Sequence, residues 1–430
     1  MPYRSGTNRD LPTCFVVGPV ISGFAPARFP WLGSLLSEGF PMTGLLRCPG
    51  RHRLGVLLGG ICLVTATTVA APAQAGTSDP LRPLEWGLDQ VRAELAWPSS
   101  TGDGVVVAVV DSGVDLTHPD LQANLVPGAT FTGCKQGPSP CGNGDWRGPD
   151  GQGQELDTHG THVSGTIAAV TDNGIGVAGV APDAQIMPIK SLEDGSGSFE
   201  EIAAGITYAV DHGADVVNLS LGAVPGAQAL TITGVDTTVT EAIAYADEQG
   251  VLVVAAAGNE SFPVCDTPSF EDGALCVTAT TREETPAWYS NGAIKPDLFA
   301  VAAPGGAALA FCEDDIVSTV PVGTGSEACG ESDHDYFAGT SMATPHVSAV
   351  GALLVAQGRT LDNVKAALVD TARTPGLGTG AYTTSYGHGI VDAEAAVAYA
   401  GAGTTATPSA KGGSGKGSGN GGNAGPGTDR

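Results

Sequence analysis

Three short segments carry residue types that together could break an acyl bond. The first is Asp111-Ser112-Gly113-Val114-Asp115, entered from the apolar run Val105–Val110. The second is Asp157-Thr158-His159-Gly160-Thr161-His162-Val163, and the third runs from Phe337 through Gly339-Thr340-Ser341-Met342-Ala343 to Pro345-His346. A serine hydroxyl is a weak nucleophile at neutral pH. An imidazole within hydrogen-bond reach takes its proton, and a carboxylate behind the imidazole fixes the tautomer and stabilises the charged ring. Asp111, His159 and Ser341 are the candidates for these roles.

Each segment alone also has an ordinary reading. An aspartate after a strand commonly caps a helix or holds a nucleotide or metal, and a serine at a helix start is a common N-cap. His159 and His162 are not spaced i, i+4 and no Glu lies between them, so a zinc-peptidase helix is disfavoured and His162 reads as a buried structural residue. Ala343 stands where the nucleophile turn of an α/β-hydrolase requires glycine, and the order Asp, His, Ser is not the Ser, Asp, His of that fold.

The elements that must position these residues are legible from about Leu84 to Ala400. Short apolar runs rich in β-branched residues alternate with longer Ala-rich helical patterns, which predicts an α/β fold. The expected architecture is a three-layer, doubly wound, mostly parallel sheet with helices on both faces. Expected strands are Val105–Val110, Ile186–Lys190, Asp215–Leu219, Val251–Ala256 and Leu275–Thr278. Two uncharged stretches, His159 to Val170 and Ser341 to Gly358, read as buried helices. Each begins with a candidate residue, where unpaired N–H groups and the helix dipole favour developing negative charge. Pro345 is compatible with a helix only near its start. Ligands of such sheets bind beyond the carboxyl ends of the strands.

The ends of the chain read differently. Leu54 to Ala75 is an apolar run preceded by Arg51, His52 and Arg53 and closed by Ala73-Gln74-Ala75, the layout of a secretory signal cut after Ala75. Residues 1–75 are therefore expected to be an N-terminal extension and signal, with Met42 as an alternative start, and the product to be secreted and extracellular. The apolar core of the signal is shorter than a bilayer span requires. Residues 76–400 form the expected catalytic domain. Residues 401–430, rich in Gly and Ser and nearly devoid of apolar side chains, read as a disordered tail.

Six of the 19 basic and two of the 45 acidic residues precede Gly76, which leaves 13 against 43 in the remainder. Such a balance makes nucleic acid and anionic membranes poor partners. Six of the nine cysteines follow Ala75. In an exported chain they read as disulfides, and proximity suggests Cys134–Cys141, Cys265–Cys276 and Cys312–Cys329, with other pairings and free thiols left open.

Taken together, DSGVD, HGTHVSGT and GTSMATPHV resemble, in order and separation, the three signatures of the subtilisin-like serine protease family. The resemblance covers about residues 84 to 400. It implies a serine endopeptidase that acts on protein or peptide substrates as a monomer, through an acyl-enzyme, with no cofactor needed for the chemistry. It further implies that Asn259, in Ala255-Ala256-Ala257-Gly258-Asn259, donates to the oxyanion beside the Ser341 N–H. Gly195-Ser196-Gly197 and Ser220-Leu221-Gly222 would pair with the substrate as flanking strands. Asp120 and Asn173, the latter in the loop 170–177, would belong to a structural calcium site, although the family's glutamine ligand is not evident around Arg82. Glu260 and Glu200 offer two readings, a preference for basic or polar side chains near the cleft and solvated surface charge, of which the second is favoured. Only 35 residues separate Ala75 from Asp111, too few for the family's inhibitory folding prodomain. Broad degradation is the expected role. The alternatives are a processing peptidase for one exported partner and a non-catalytic binding protein on the same scaffold.

Overall fold

The computed structural model describes residues 77–134, 139–223, 233–234, 236–294 and 298–401, together with the backbone of a short strand at Cys14–Val16. The expected signal stretch Leu54 to Ala75, Met42 and the tail after Gly401 lie outside the described residues.

Seven strands build the central sheet: β1 (Val106–Asp111), β2 (Ala129–Thr130), β3 (Gln185–Lys190), β4 (Val216–Leu219), β5 (Leu252–Ala256), β6 (Ala274–Thr280) and β7 (Ala300–Pro304). Their order is β7-β6-β5-β4-β1-β3-β2, with every neighbouring pair parallel. The apolar runs are continuous because both faces are covered. Val107 and Val109 of β1 enter one core, Ala108 and Val110 the other, and β5 divides its residues the same way.

Helices α1 (His159–Ala168) and α4 (Thr340–Ala356) pack on the first face, and α2 (Phe199–Asp211) and α3 (Thr238–Glu248) on the second. This is the expected three-layer α/β arrangement. From Thr340 to Leu354 every residue of α4 is buried, as its lack of a polar face predicted. An antiparallel hairpin, β8 (Ile316–Thr319) with β9 (His334–Phe337), packs against α1.

The chain leaves β1 toward β3 on one side and returns to β4 on the other, so the carboxyl ends of β1 and β4 flank the switch in strand order where a ligand crevice opens. The three disulfides pair as proximity suggested. Among the described residues no helix is long and apolar enough to cross a membrane. Four of these nine strands escaped the sequence reading. β2 has two residues, β7 is mostly Ala, β8 is a four-residue run half made of Ser and Thr, and β9 carries a histidine and an aspartate.

Candidate active site

Asp111 ends β1 and His159 begins α1, and both are fully buried. His159 Nδ1 lies 2.8 Å from Asp111 Oδ1 and 3.0 Å from Oδ2, while the Ser112 N–H donates to Oδ1 at 2.7 Å. The helix start can approach the strand end this closely because residue 160 is glycine. A Cβ there would lie 2.3 Å from the Gly113 carbonyl oxygen and 3.2 Å from Asp111 Cβ. With Nδ1 committed to the carboxylate, His159 Nε2 is buried without a protein partner.

Ser341 is the second residue of α4 and only slightly exposed. Its Oγ donates to the Ser220 carbonyl at 3.1 Å. The Ser220 hydroxyl in turn donates to the Ser341 carbonyl at 2.8 Å. That carbonyl would ordinarily receive the N–H four residues on, but residue 345 is proline and has none. Ser220 thus fills the gap that Pro345 leaves in the helix. The Asn218 amide donates to Ser220 Oγ, and the Ser348 hydroxyl donates to Asn218 Oδ1, which completes a buried chain of polar groups.

Asn259 follows β5. Its Oδ1 accepts from the Thr340 N–H at 2.9 Å and from the Thr340 hydroxyl at 3.0 Å, and Thr340 Oγ1 also receives the Gly258 N–H. With the carbonyl end of the amide held, its Nδ2 end is turned away from Thr340. Thr340 was not singled out in the sequence, where it reads as one more small residue before the serine.

Two further residues missed by sequence reasoning tie the segments together. Lys190, which ends β3 beside Asp111 in the β1–β3 register, is fully buried. Its ammonium donates to the Ser112 carbonyl at 3.0 Å and to Asp157 Oδ2 at 3.2 Å. Burial pushes the Asp157 carboxyl up, and Lys190 opposes that shift. A lysine at the end of an otherwise apolar strand was the available signal.

His162, one turn beyond His159, is a buried structural residue as expected. Its Nε2 donates to the Ile316 carbonyl at 2.9 Å, and its ring stacks on Phe337 at 4.5 Å. Burial lowers its pKa to about 3.

Ser196–Ser198 and Gly222–Ala223 form two short strands, and Cys14–Val16 lies between them, antiparallel to both. Val16 is opposite Ser196 and Gly222, and Phe15 is opposite Gly197 and Ala223. Gly195 sits in the turn before the first strand, while Ser220 and Leu221 precede the second. The two edges therefore hold one extended chain, which runs toward Ser220 and Ser341.

Asp120 and Asn173 do meet, but through the Asn173 amide, which donates to Asp120 Oδ1 at 2.6 Å. Asp120 Oδ2 accepts the Val177 N–H at 3.0 Å and faces His334 Nε2 at 3.4 Å. Asp79, near the start of the described domain, accepts from the N–H groups of Asp172 and Gly174. So arranged, the loop satisfies these carboxylates from within. Among the described residues no group of three or more His, Cys, Asp or Glu side chains could hold a metal. The donors do not fit a calcium shell in this arrangement.

The sequence profile of the Subtilase family matches residues 102–389. Thermitase of Thermoactinomyces vulgaris is 37% identical over 69% of this chain and 91% of its own length. The "Extracellular basic protease" of Dichelobacter nodosus is 35% identical over 75% of this chain and 56% of its own. A solved structure titled as proteases from Pseudoalteromonas arctica superposes with a TM-score of 0.64 and 35% identity, covering 75% of this chain and 99% of that one. Matched along most of its described domain, with the expected segments at the carboxyl ends of a parallel sheet, the chain belongs to the subtilase family of serine peptidases.

Proposed function

We propose that this chain is a secreted endopeptidase in which Ser341 is the nucleophile, His159 the general base and acid, and Asp111 the group that orients and stabilises the imidazole. The observation that carries this reading is the buried bond between Asp111 and His159 Nδ1, which leaves Nε2 to accept a proton. The Ser341 hydroxyl turns from the Ser220 carbonyl to Nε2, and Oγ attacks the scissile carbonyl as its proton passes to the ring. The C–N bond then breaks as that proton moves to the leaving amine. Water hydrolyses the resulting ester by the same steps in reverse.

Asn259 Nδ2 and the Ser341 N–H are the proposed oxyanion donors, and their support is the way Thr340 holds the other end of the Asn259 amide. Gly195-Ser196-Gly197 and Ser220-Leu221-Gly222 are the proposed substrate edges, a reading supported by the extended chain already lying between the adjoining strands. Pairing through backbone groups accommodates many sequences, which favours broad over dedicated cleavage. Export rests on the signal layout and on the acidic, disulfide-bonded domain.

The test is to incubate the protein from Gly76 onward, beside its Ser341→Ala variant, with a fluorophosphonate probe and with casein. Labelling and cleavage in the parent, both absent in the variant, are expected. Labelling without casein cleavage would favour a dedicated processing enzyme. A folded parent that takes no label would refute the catalytic reading.

A further inference from the structure

A hollow of about 360 Å³ opens at the start of α1, with Trp146, Gly153, Leu156, Thr158, Asp335 and Phe337 in its wall. Sites that take a whole side chain or a small ligand begin at about 300 Å³. Among the described residues that line it, none comes from 195–198 or 220–223, the two edges that hold an extended chain. Leu156 stands between, since a Cβ added at Gly195 would lie 3.0 Å from Leu156 Cδ1. The chain held by those edges runs past Gly222 toward Ser341 and delivers the attacked carbonyl there. Its continuation is the leaving amine, which must pass His159 to receive a proton. Thr158 adjoins His159, and Phe337 ends the strand that leads through three residues to Ser341. The hollow therefore faces the part of the substrate that follows the cut.

Its walls are fixed before any substrate arrives. The Trp146 N–H donates to the Val114 carbonyl at 3.0 Å, and the Val114 N–H donates to the Gly144 carbonyl at 2.9 Å, which ties the tryptophan to the segment after Asp111. The indole lies against bare backbone at Gly153, where a Cβ would come within 2.0 Å of Trp146 Cζ3. Phe337 is held by its stacking on His162. Asp335 Oδ2 accepts the Ser326 N–H at 2.8 Å, and Oδ1 accepts the Ser326 hydroxyl at 3.1 Å and the Tyr336 N–H at 2.8 Å. That carboxylate is thus committed to its own loop. Cys134–Cys141 and Cys312–Cys329 close the loops that supply Trp146 and Ser326. Glu155 is exposed and keeps its water. What remains for an occupant is an indole, a phenyl ring and a leucine side chain, preorganised around an apolar space and bordered by two carboxylates that repel an acidic one.

We infer that this hollow binds an apolar side chain, aromatic or leucine-like, from the part of the substrate that leaves as the amine, with Trp146 and Leu156 as specificity-determining residues. This rests on the peptidase reading above and deepens it.

The experiment measures kcat/KM on internally quenched peptides that share one acyl half and carry Phe, Leu, Ala, Lys or Glu at each of the first three positions after the cut. Anilides of the same acyl half, which lack those positions, are measured beside them. At one of the three positions the parent is expected to favour Phe and Leu over Ala by at least about tenfold and to disfavour Glu. Trp146→Ala and Leu156→Ala should each lower that Phe-to-Ala ratio by at least about fivefold, and should slow the Phe peptide far more than the anilide. Neither side chain belongs to the two cores that cover the sheet, and the exposed Leu156 provides the test should Trp146→Ala fail to fold. Thermal melting and fluorophosphonate labelling verify the fold of each variant. A parent that prefers Lys to Phe or shows no preference at any of the three positions would overturn the inference while labelling persists. So would variants that slow peptides and anilides alike with the ratio unmoved. A folded parent that takes no label would instead remove the peptidase reading on which it stands.

Discussion

Ser220 and Ser341 exchange hydrogen bonds across the cleft: the Ser220 hydroxyl caps the helix carbonyl orphaned by Pro345, and the Ser341 hydroxyl rests on the Ser220 carbonyl. One residue of a proposed substrate edge thereby fixes the start of the helix that carries the proposed nucleophile. Ser220→Ala leaves the Ser341 carbonyl and the Asn218 amide short of a buried partner, at a cost of about 2 kcal/mol. Urea unfolding should show that loss, and the rate of fluorophosphonate labelling should fall with it. Stability equal to that of the parent would mean that water replaces the hydroxyl without cost.

Thr340 holds Asn259 by its N–H and its hydroxyl. Thr340→Val preserves the shape and the N–H and removes the hydroxyl. It should lower kcat by about tenfold with little change in KM, because the donor it aims acts on the transition state. Asn259→Ala should cost about a hundredfold or more in kcat. A rise in KM alone for either variant would place Asn259 in ground-state binding instead.

Lys190 and Asp157 form an ion pair with both side chains fully buried, between the strand end bearing Asp111 and the segment bearing His159. Lys190→Met removes one partner and leaves the Asp157 charge uncompensated, which should destabilise the fold by about 3 kcal/mol. The double variant Lys190→Met with Asp157→Asn should recover part of that loss. Chemical denaturation of the two variants checks the order, and a double variant no better than the single one would contradict it.

Acid should weaken the fold through two buried histidines. Burial lowers His162 to about 3 and His346 to about 4, where each ring donates to a backbone carbonyl. Unfolded, both titrate near about 6.5. Below that pH the unfolded chain binds protons that the native state refuses, so stability is fully present above the unfolded value and is lost as pH falls toward 4. Each ring withdraws roughly 3 kcal/mol by pH 4. Asp315, raised to about 6 by burial, acts in the opposite sense, since its contribution is present in acid and is lost as pH rises through about 6. Glu85, Asp157 and His334, also raised, act with Asp315, and His118, lowered by burial, acts with the two rings. Urea midpoints of the Ser341→Ala variant, which is free of self-digestion, should drop between pH 7 and pH 4.

Chelation should leave the domain intact. Asp120 is satisfied by Asn173, Val177 and His334, and Asp79 by the loop backbone. Melting with and without EGTA should agree within about 2 °C. A larger drop that calcium alone restores would show that a cation displaces these donors.

The sequence by itself determined which residue types stand at the ends of which elements. Asp111 had to end an apolar run and His159 and Ser341 had to begin uncharged helices, because unbroken apolar stretches can only be buried and their polar punctuation marks where they surface. Disulfide partners were legible because each lies close to its mate in the chain. β7 and β9 were not, since an Ala-rich run and a strand with charged residues become strands only through the neighbours that pair with them. Tertiary structure alone decided the orientation of groups distant in sequence. Thr340 reaches Asn259 across 81 residues, Ser220 fills the bond lost at Pro345, and Asp266 meets Glu260 through Asn291. No local pattern encodes these contacts, because a hydrogen bond depends on where two side chains end, and that is fixed only when the helices close on the sheet.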